Sequence, residues 1–209
     1  MKASQDPSLF IWGGISGVFG TILYVAAIAI PFPPLLTYIL AMCWPILSII
    51  FVFALYKYIA LEHQSAFNQL ALIMACIAFA MVALMISVQM SVRLGITEYL
   101  TTTPVENKDV FVLIRKSVRM VDMGIDVAWD IFIGVSLIFL GIAIKSHKSF
   151  GIWWASAAMI LAVALLVLNL ITFPWPPDSR ELMDVGPAIG LFIIILSTKL
   201  YVLGNRMKS

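Results

Sequence analysis

Charged side chains are scarce in this sequence: Asp, Glu, Lys and Arg make up 11% of the 209 residues, while 62% are hydrophobic. A soluble domain carries about 25% charged residues, so a water-exposed globule is excluded. Mean hydropathy is +1.04, which places the chain in a bilayer. Long polar stretches are also missing. The longest connection, about residues 93 to 123, is too short to build an independent core, so we expect one integral membrane domain over residues 1 to 209. Cysteine and histidine are equally sparse, two of each. Cys43 and Cys76 fall inside apolar runs, where they read as small packing residues rather than a disulfide or metal site. His63 and His147 fall at the ends of apolar runs and read as solvated interfacial residues, which disfavours haem ligation and Ser-His-Asp hydrolysis. No cofactor is implied. Net charge is +2 and the basic residues are scattered, so nucleic acid is excluded as a partner.

What is abundant is apolar sequence in runs of about 18 residues or more, the length that signals a spanning helix. Six spans result, at about 11 to 30, 36 to 57, 67 to 92, 124 to 144, 152 to 173 and 185 to 204. The predicted fold is all-α: a polytopic six-transmembrane-helix bundle in a lipid bilayer. Lys2, Lys57, Lys145, Lys148, Lys199, Arg206 and Lys208 gather at one side of this arrangement, which favours an N-in/C-in orientation. Arg93, Lys108, Arg115, Lys116 and Arg119 would lie opposite.

Two further patterns concern packing. Pro31-Phe32-Pro33-Pro34 and Pro174-Trp175-Pro176-Pro177 repeat a Pro-aromatic-Pro-Pro turn at the edges of spans one, two, five and six. Proline lacks a backbone donor, and an aromatic side chain suits the interface, so these are membrane-edge turns. Gly13, Gly17 and Gly20 in span one, with Gly186 and Gly190 in span six, predict close helix approach and a possible oligomer contact through glycine-rich faces.

Asp122, Asp126 and Asp130 stand four residues apart on one helical face. Thr103, Pro104 and Glu106 fit a helix cap, first-turn proline and capping-box acid, and no breaker follows before Gly124. A helix from about 104 to 144 therefore carries Lys108, Arg115, Arg119 and the three aspartates within roughly 80° of one another. Intramembrane carboxylates are costly and mark function by default. At 1.5 Å per residue, Asp130 lies roughly 6 Å from the span centre and Asp126 about 12 Å. Gln89, Asn169, Tyr24 and Tyr38 share that half of the membrane.

The ladder has a structural reading and a functional one. In the first, Asp122 pairs with Arg93 or Arg119, and Asp126 is bonded by Asn169 or Gln89. The chain is then a structural or assembly subunit. In the second, Asp126, Asp130, Gln89, Asn169, Tyr24 and Tyr38 form a polar pocket that binds or moves a small amphipathic or cationic molecule. An enzymatic alternative uses Asp130 as a catalytic acid on a lipid or isoprenoid, or Asp122, Asp126 and Asp130 as a metal site. The ladder resembles one acidic motif of membrane prenyltransferases and CDP-alcohol phosphotransferases, but the second acidic motif of the former and the Asp-Gly-x2-Ala-Arg segment of the latter are missing.

Phe132-Ile133-Gly134 through Leu140-Gly141, followed by Lys145-Ser146, resembles uncharacterised bacterial six-helix membrane proteins of a domain-of-unknown-function family. The resemblance implies a bacterial inner-membrane, multi-pass protein and brings no activity with it. A proline of that pattern is replaced here by Phe150-Gly151.

Overall fold

In a computed structural model, residues 6–62, 64–102, 108–175 and 177–208 are described, and they form helices without a strand. The helices are α1 (Pro7–Ala29), α2 (Pro34–Ile59), α3 (Ala66–Thr102), α4 (Lys108–Ile144), α5 (Gly151–Thr172) and α6 (Gly186–Lys208). A 3-10 turn, Pro177–Arg180, stands between α5 and α6. All six helices are long and apolar enough to cross a bilayer, so the chain is a multi-pass membrane protein built as a six-helix bundle.

Helix starts follow local chemistry. Asp6 caps α1 by accepting a hydrogen bond from Ser8 N at 2.9 Å, and Pro7 fills the first helical position, where no donor is needed. The Ser8 side chain and then its backbone N–H hold the Asp6 carboxyl below the usual carboxylate range. Pro34 opens α2 in the same way. Thr37 Oγ1 donates to Phe32 O at 3.2 Å and closes the proline turn. Thr103, Pro104 and Glu106, which would start α4, lie outside the described residues, as do Lys2, His63 and Pro176.

The stretch from 93 to 123 departs most from the expected span limits. It is not a loop. The α3 helix continues ten residues past its expected end at 92, to Thr102, and α4 begins at Lys108. Each helix has 37 residues, about 55 Å at 1.5 Å per residue, against a hydrocarbon core of about 30 Å. The two helices therefore pack against each other beyond the membrane core, with Tyr99 and Phe111 stacked at 5.6 Å.

Consecutive helices pair in the order α6–α1–α2–α3–α4–α5, and the α5–α6 seam that would close this ring makes few contacts. The core runs along its inside, with Phe10, Phe51, Phe79, Leu165, Ile189 and Leu200 fully buried. One end carries the proline turns, and the other carries the chain termini. At the terminal end His147 is buried, contrary to the solvated role expected for it. Its Nε2 lies 3.5 Å from Glu62, its Nδ1 accepts from Ser149 N at 3.1 Å, and Tyr58 OH meets Ser149 Oγ at 3.0 Å. The turn between α4 and α5 folds back over the end of α2, so a residue at an apolar run's edge is covered by a neighbouring helix.

Glycine packing is real but partly reassigned. Gly13 meets α2, Gly14 and Gly17 meet α6, and Gly204 meets the start of α1. Gly186 and Gly190 on α6 make no close helix approach: a β-carbon built at Gly190 would touch nothing within 4 Å, and one at Gly186 would meet only Asp184. Gly13, Gly17 and Gly20 are buried inside the bundle.

Candidate functional site

Asp126 and Asp130 line a cavity of ≈ 560 Å³ in the half of the bundle nearer the proline turns. Every helix contributes to its wall: Thr21 and Tyr24 from α1, Trp44 from α2, Val82 and Met85 from α3, Trp129 with the two aspartates from α4, Asn169 from α5, and Gly190 and Ile194 from α6. Pro177 of the 3-10 turn and Asp184 complete it at the proline end. Asp184 is exposed, and its Oδ1 accepts from Gly186 N at 2.8 Å, which caps the start of α6.

Asp130 is 4% exposed, and among the described residues it has no hydrogen-bond partner. Its surroundings are largely aromatic. Tyr24 stacks on Trp44 at 4.4 Å between ring centroids, and Trp44 tilts against Trp129 at 6.4 Å. Phe79 backs Trp44 edge-on at 5.9 Å. Among the described residues neither indole N–H of Trp44 or Trp129 reaches an acceptor, although both are buried. Buried polar groups are normally paired, so the carboxyl of Asp130 and these two donors stand out as unsatisfied polar groups at one level of the bundle. Pro45, inside α2 directly after Trp44, has no N–H to offer the carbonyl of Ala41 and weakens the helix at this level.

The remaining predicted residues divide. Tyr24 and Asn169 join Asp126 and Asp130 in the cavity. Asn169 does not bridge to Asp126 as expected; its Nδ2 donates to the Leu165 carbonyl one turn below, at 3.0 Å. Tyr38 lies elsewhere, between α2 and α3, with its hydroxyl 3.3 Å from Ser87 Oγ. Gln89 donates to Asp122 Oδ2 at 2.9 Å rather than to Asp126. Asp122 itself makes no ion pair with Arg93 or Arg119 among the described residues, though all three line a second crevice between α3 and α4. Depth along the helix placed these groups at one level, but four residues also turn the helix by about 40°. Asp122 thereby faces α3 while Asp130 faces the bundle interior.

This division separates Asp122 from the other two aspartates of the ladder. Among the described residues no group of three or more His, Cys, Asp or Glu side chains is disposed to hold an ion. Cys43 and Cys76 are free thiols, half-buried in α2 and α3.

Sequence reasoning missed Trp44, Trp129 and Asp184. Trp129 precedes Asp130 directly, and Trp44 precedes a mid-helix proline, which were the available signals. Comparison of the chain with protein-family models, with curated proteins and with solved structures returned no match.

Proposed function

We propose that this protein binds a small amphipathic cation in the cavity around Asp126 and Asp130, and that the cavity serves to take such a molecule up from the bilayer or its interface. The observation that carries the reading is the placing of Asp130 beside Tyr24, Trp44 and Trp129 in a space of ≈ 560 Å³. An organic ammonium is attracted both by a carboxylate and by the negative face of aromatic rings, and the attraction grows when the site is dry. An inorganic cation wants several oxygen ligands grouped about one point, and among the described residues no three His, Cys, Asp or Glu side chains are so disposed. The apolar body of the ligand would lie along Val25, Ile28 and Leu191, residues that border the cavity and are more than half exposed.

Entry from the lipid is favoured by the loosely packed α5–α6 seam, since Ile194 on α6 belongs both to this cavity and to a second one toward the terminal end. The test uses decyltrimethylammonium with the purified protein in lipid nanodiscs, read by quenching of tryptophan fluorescence and by equilibrium binding. Asp130→Asn is expected to weaken binding at least about ten-fold, the loss that goes with one charge-assisted contact in a desolvated site. Decanol, which has the same tail without the charge, is expected to bind no better to the wild type than to the variant. Equal affinity of wild type and Asp130→Asn for the ammonium would overturn the proposal.

A further inference from the structure

The second crevice, on the other side of α4, has a chemistry opposite to that of the cavity and is separate from it. It measures ≈ 410 Å³ and lies between α3 and α4, with Arg93, Arg115 and Arg119 on its walls beside Gln89 and Asp122. The three guanidinium groups make no ion pair among the described residues. Among the described residues Asp122 is the one acid in the crevice, and it is half satisfied. Its Oδ2 accepts from Gln89 at 2.9 Å, while its Oδ1 is buried without a partner among them. Apart from Thr97, whose hydroxyl donates to the Arg93 carbonyl, the rest of the wall is aliphatic, including Val92 and Val118.

Position supplies the second part of the argument. Arg93 follows Ala66, the first residue of α3, by 27 positions, so it stands about 40 Å along the helix, past a hydrocarbon core of about 30 Å. Arg119 precedes the end of α4 at Ile144 by 25 positions, about 38 Å. This arithmetic puts both at headgroup level, with Val88 on the wall deeper toward the acyl chains. Arginine is the side chain best shaped to take phosphate oxygens in pairs. An orphaned carboxylate oxygen beside it asks for a donor.

We infer that the α3–α4 crevice binds a phosphate ester that also carries a hydrogen-bond donor, of the kind found in a glycerophospholipid headgroup. The phosphate sits among Arg93, Arg115 and Arg119, and an ammonium or hydroxyl on the same headgroup donates to Asp122 Oδ1. A phosphate ester lacking such a donor leaves Asp122 unsatisfied and binds less well. The same three arginines would accept a free phosphate ester, so the source of the ligand is decided by experiment.

The experiment measures lipids retained by the purified full-length protein, using native mass spectrometry after exchange into equal mixtures of phosphatidylethanolamine, phosphatidylglycerol and phosphatidylcholine with identical acyl chains. The wild type is expected to retain the ethanolamine and glycerol lipids over the choline lipid by about ten-fold, the worth of one charge-assisted hydrogen bond. Arg93→Gln with Arg119→Gln is expected to lower retention of all three by about ten-fold. Asp122→Asn should abolish the preference while keeping total retention. Competition by sn-glycerol 3-phosphate identifies the source: displacement at matching concentration supports the crevice with a soluble ester, and failure to displace supports it with a lipid. A wild type that holds the three lipids equally would overturn the inference without reference to any variant. So would a folded double-arginine variant with undiminished retention, or an Asp122→Asn variant that loses lipid altogether.

Discussion

The two halves of α6 behave as different materials. In the half nearer the chain's terminal end the helix presents Ser197, Tyr201 and Gly204 to Gly14, Gly17 and the start of α1, and the two backbones come so close that a β-carbon at Gly14 would stand 2.6 Å from Tyr201 N. In the half nearer the proline turns the same face of α6 presents Gly190, which has open space beside it, and Ile194, which borders two cavities. In a bilayer the lipid tails are as apolar as the side chains, so helices associate through close van der Waals contact rather than by escaping water. A stretch without close backbone approach has little to hold it shut. The bundle is thereby anchored along one half of α6 and left open along the other, where Gly190 and Ile194 border the cavity with Asp130.

Substituting a glycine in each half puts the largest strain on this comparison. Gly14→Ala places a methyl against the backbone of Tyr201 and Ser197 and is expected to cost about 1–3 kcal/mol or more, read as thermal unfolding in detergent. Gly190→Ala meets nothing within 4 Å and should leave stability unchanged or raise it by up to about 1 kcal/mol. Equal losses at the two positions would show that the halves do not differ. Filling the open half is a gentler test: Ile194→Trp should reduce binding of an alkyl ammonium several-fold while shifting stability by less than about 1 kcal/mol. A large loss of stability would mean that the half of α6 at the cavity is packed after all.

Acidification gives the smallest effect. Asp6 caps α1 where its start packs against the tightly held half of α6, and its carboxyl titrates below the usual range because it accepts from Ser8. A lowered folded-state pKa means that the cap's contribution is complete above the ordinary carboxylate pKa and is lost as pH falls through the lowered one. Fraying of the first turn of α1, followed by amide exchange at Ser8, should therefore rise only in that acidic window and disappear in Asp6→Asn. Exchange independent of pH in the wild type would assign the stability of that turn to packing alone.

The parts of this protein legible in sequence are those that depend on the bilayer. Length and apolarity of each run determine a spanning helix wherever the backbone must satisfy its own hydrogen bonds, and all six helices stand where the runs are. The α4 helix begins well before its apolar run, as the unbroken sequence up to Gly124 predicts, whereas α3 continues through Gly95 to Thr102, past the end of its apolar run. The aspartate ladder was equally visible, as were the depths of Tyr24 and Asn169.

Direction around the helix axis was not legible. Gln89 was matched to Asp126 by depth and found Asp122; Tyr38 was matched to the cavity and found Ser87. Gly190 was assigned to a contact and lines a space. A bilayer constrains depth through a steep change in polarity along its normal, so the sequence by itself determined six helices and the level of each polar group. Within the membrane plane there is no such gradient, and only packing decides which faces meet. The tertiary structure alone therefore separated Asp122 from Asp126 and Asp130, brought Trp44 and Trp129 beside them, and left the α5–α6 side open.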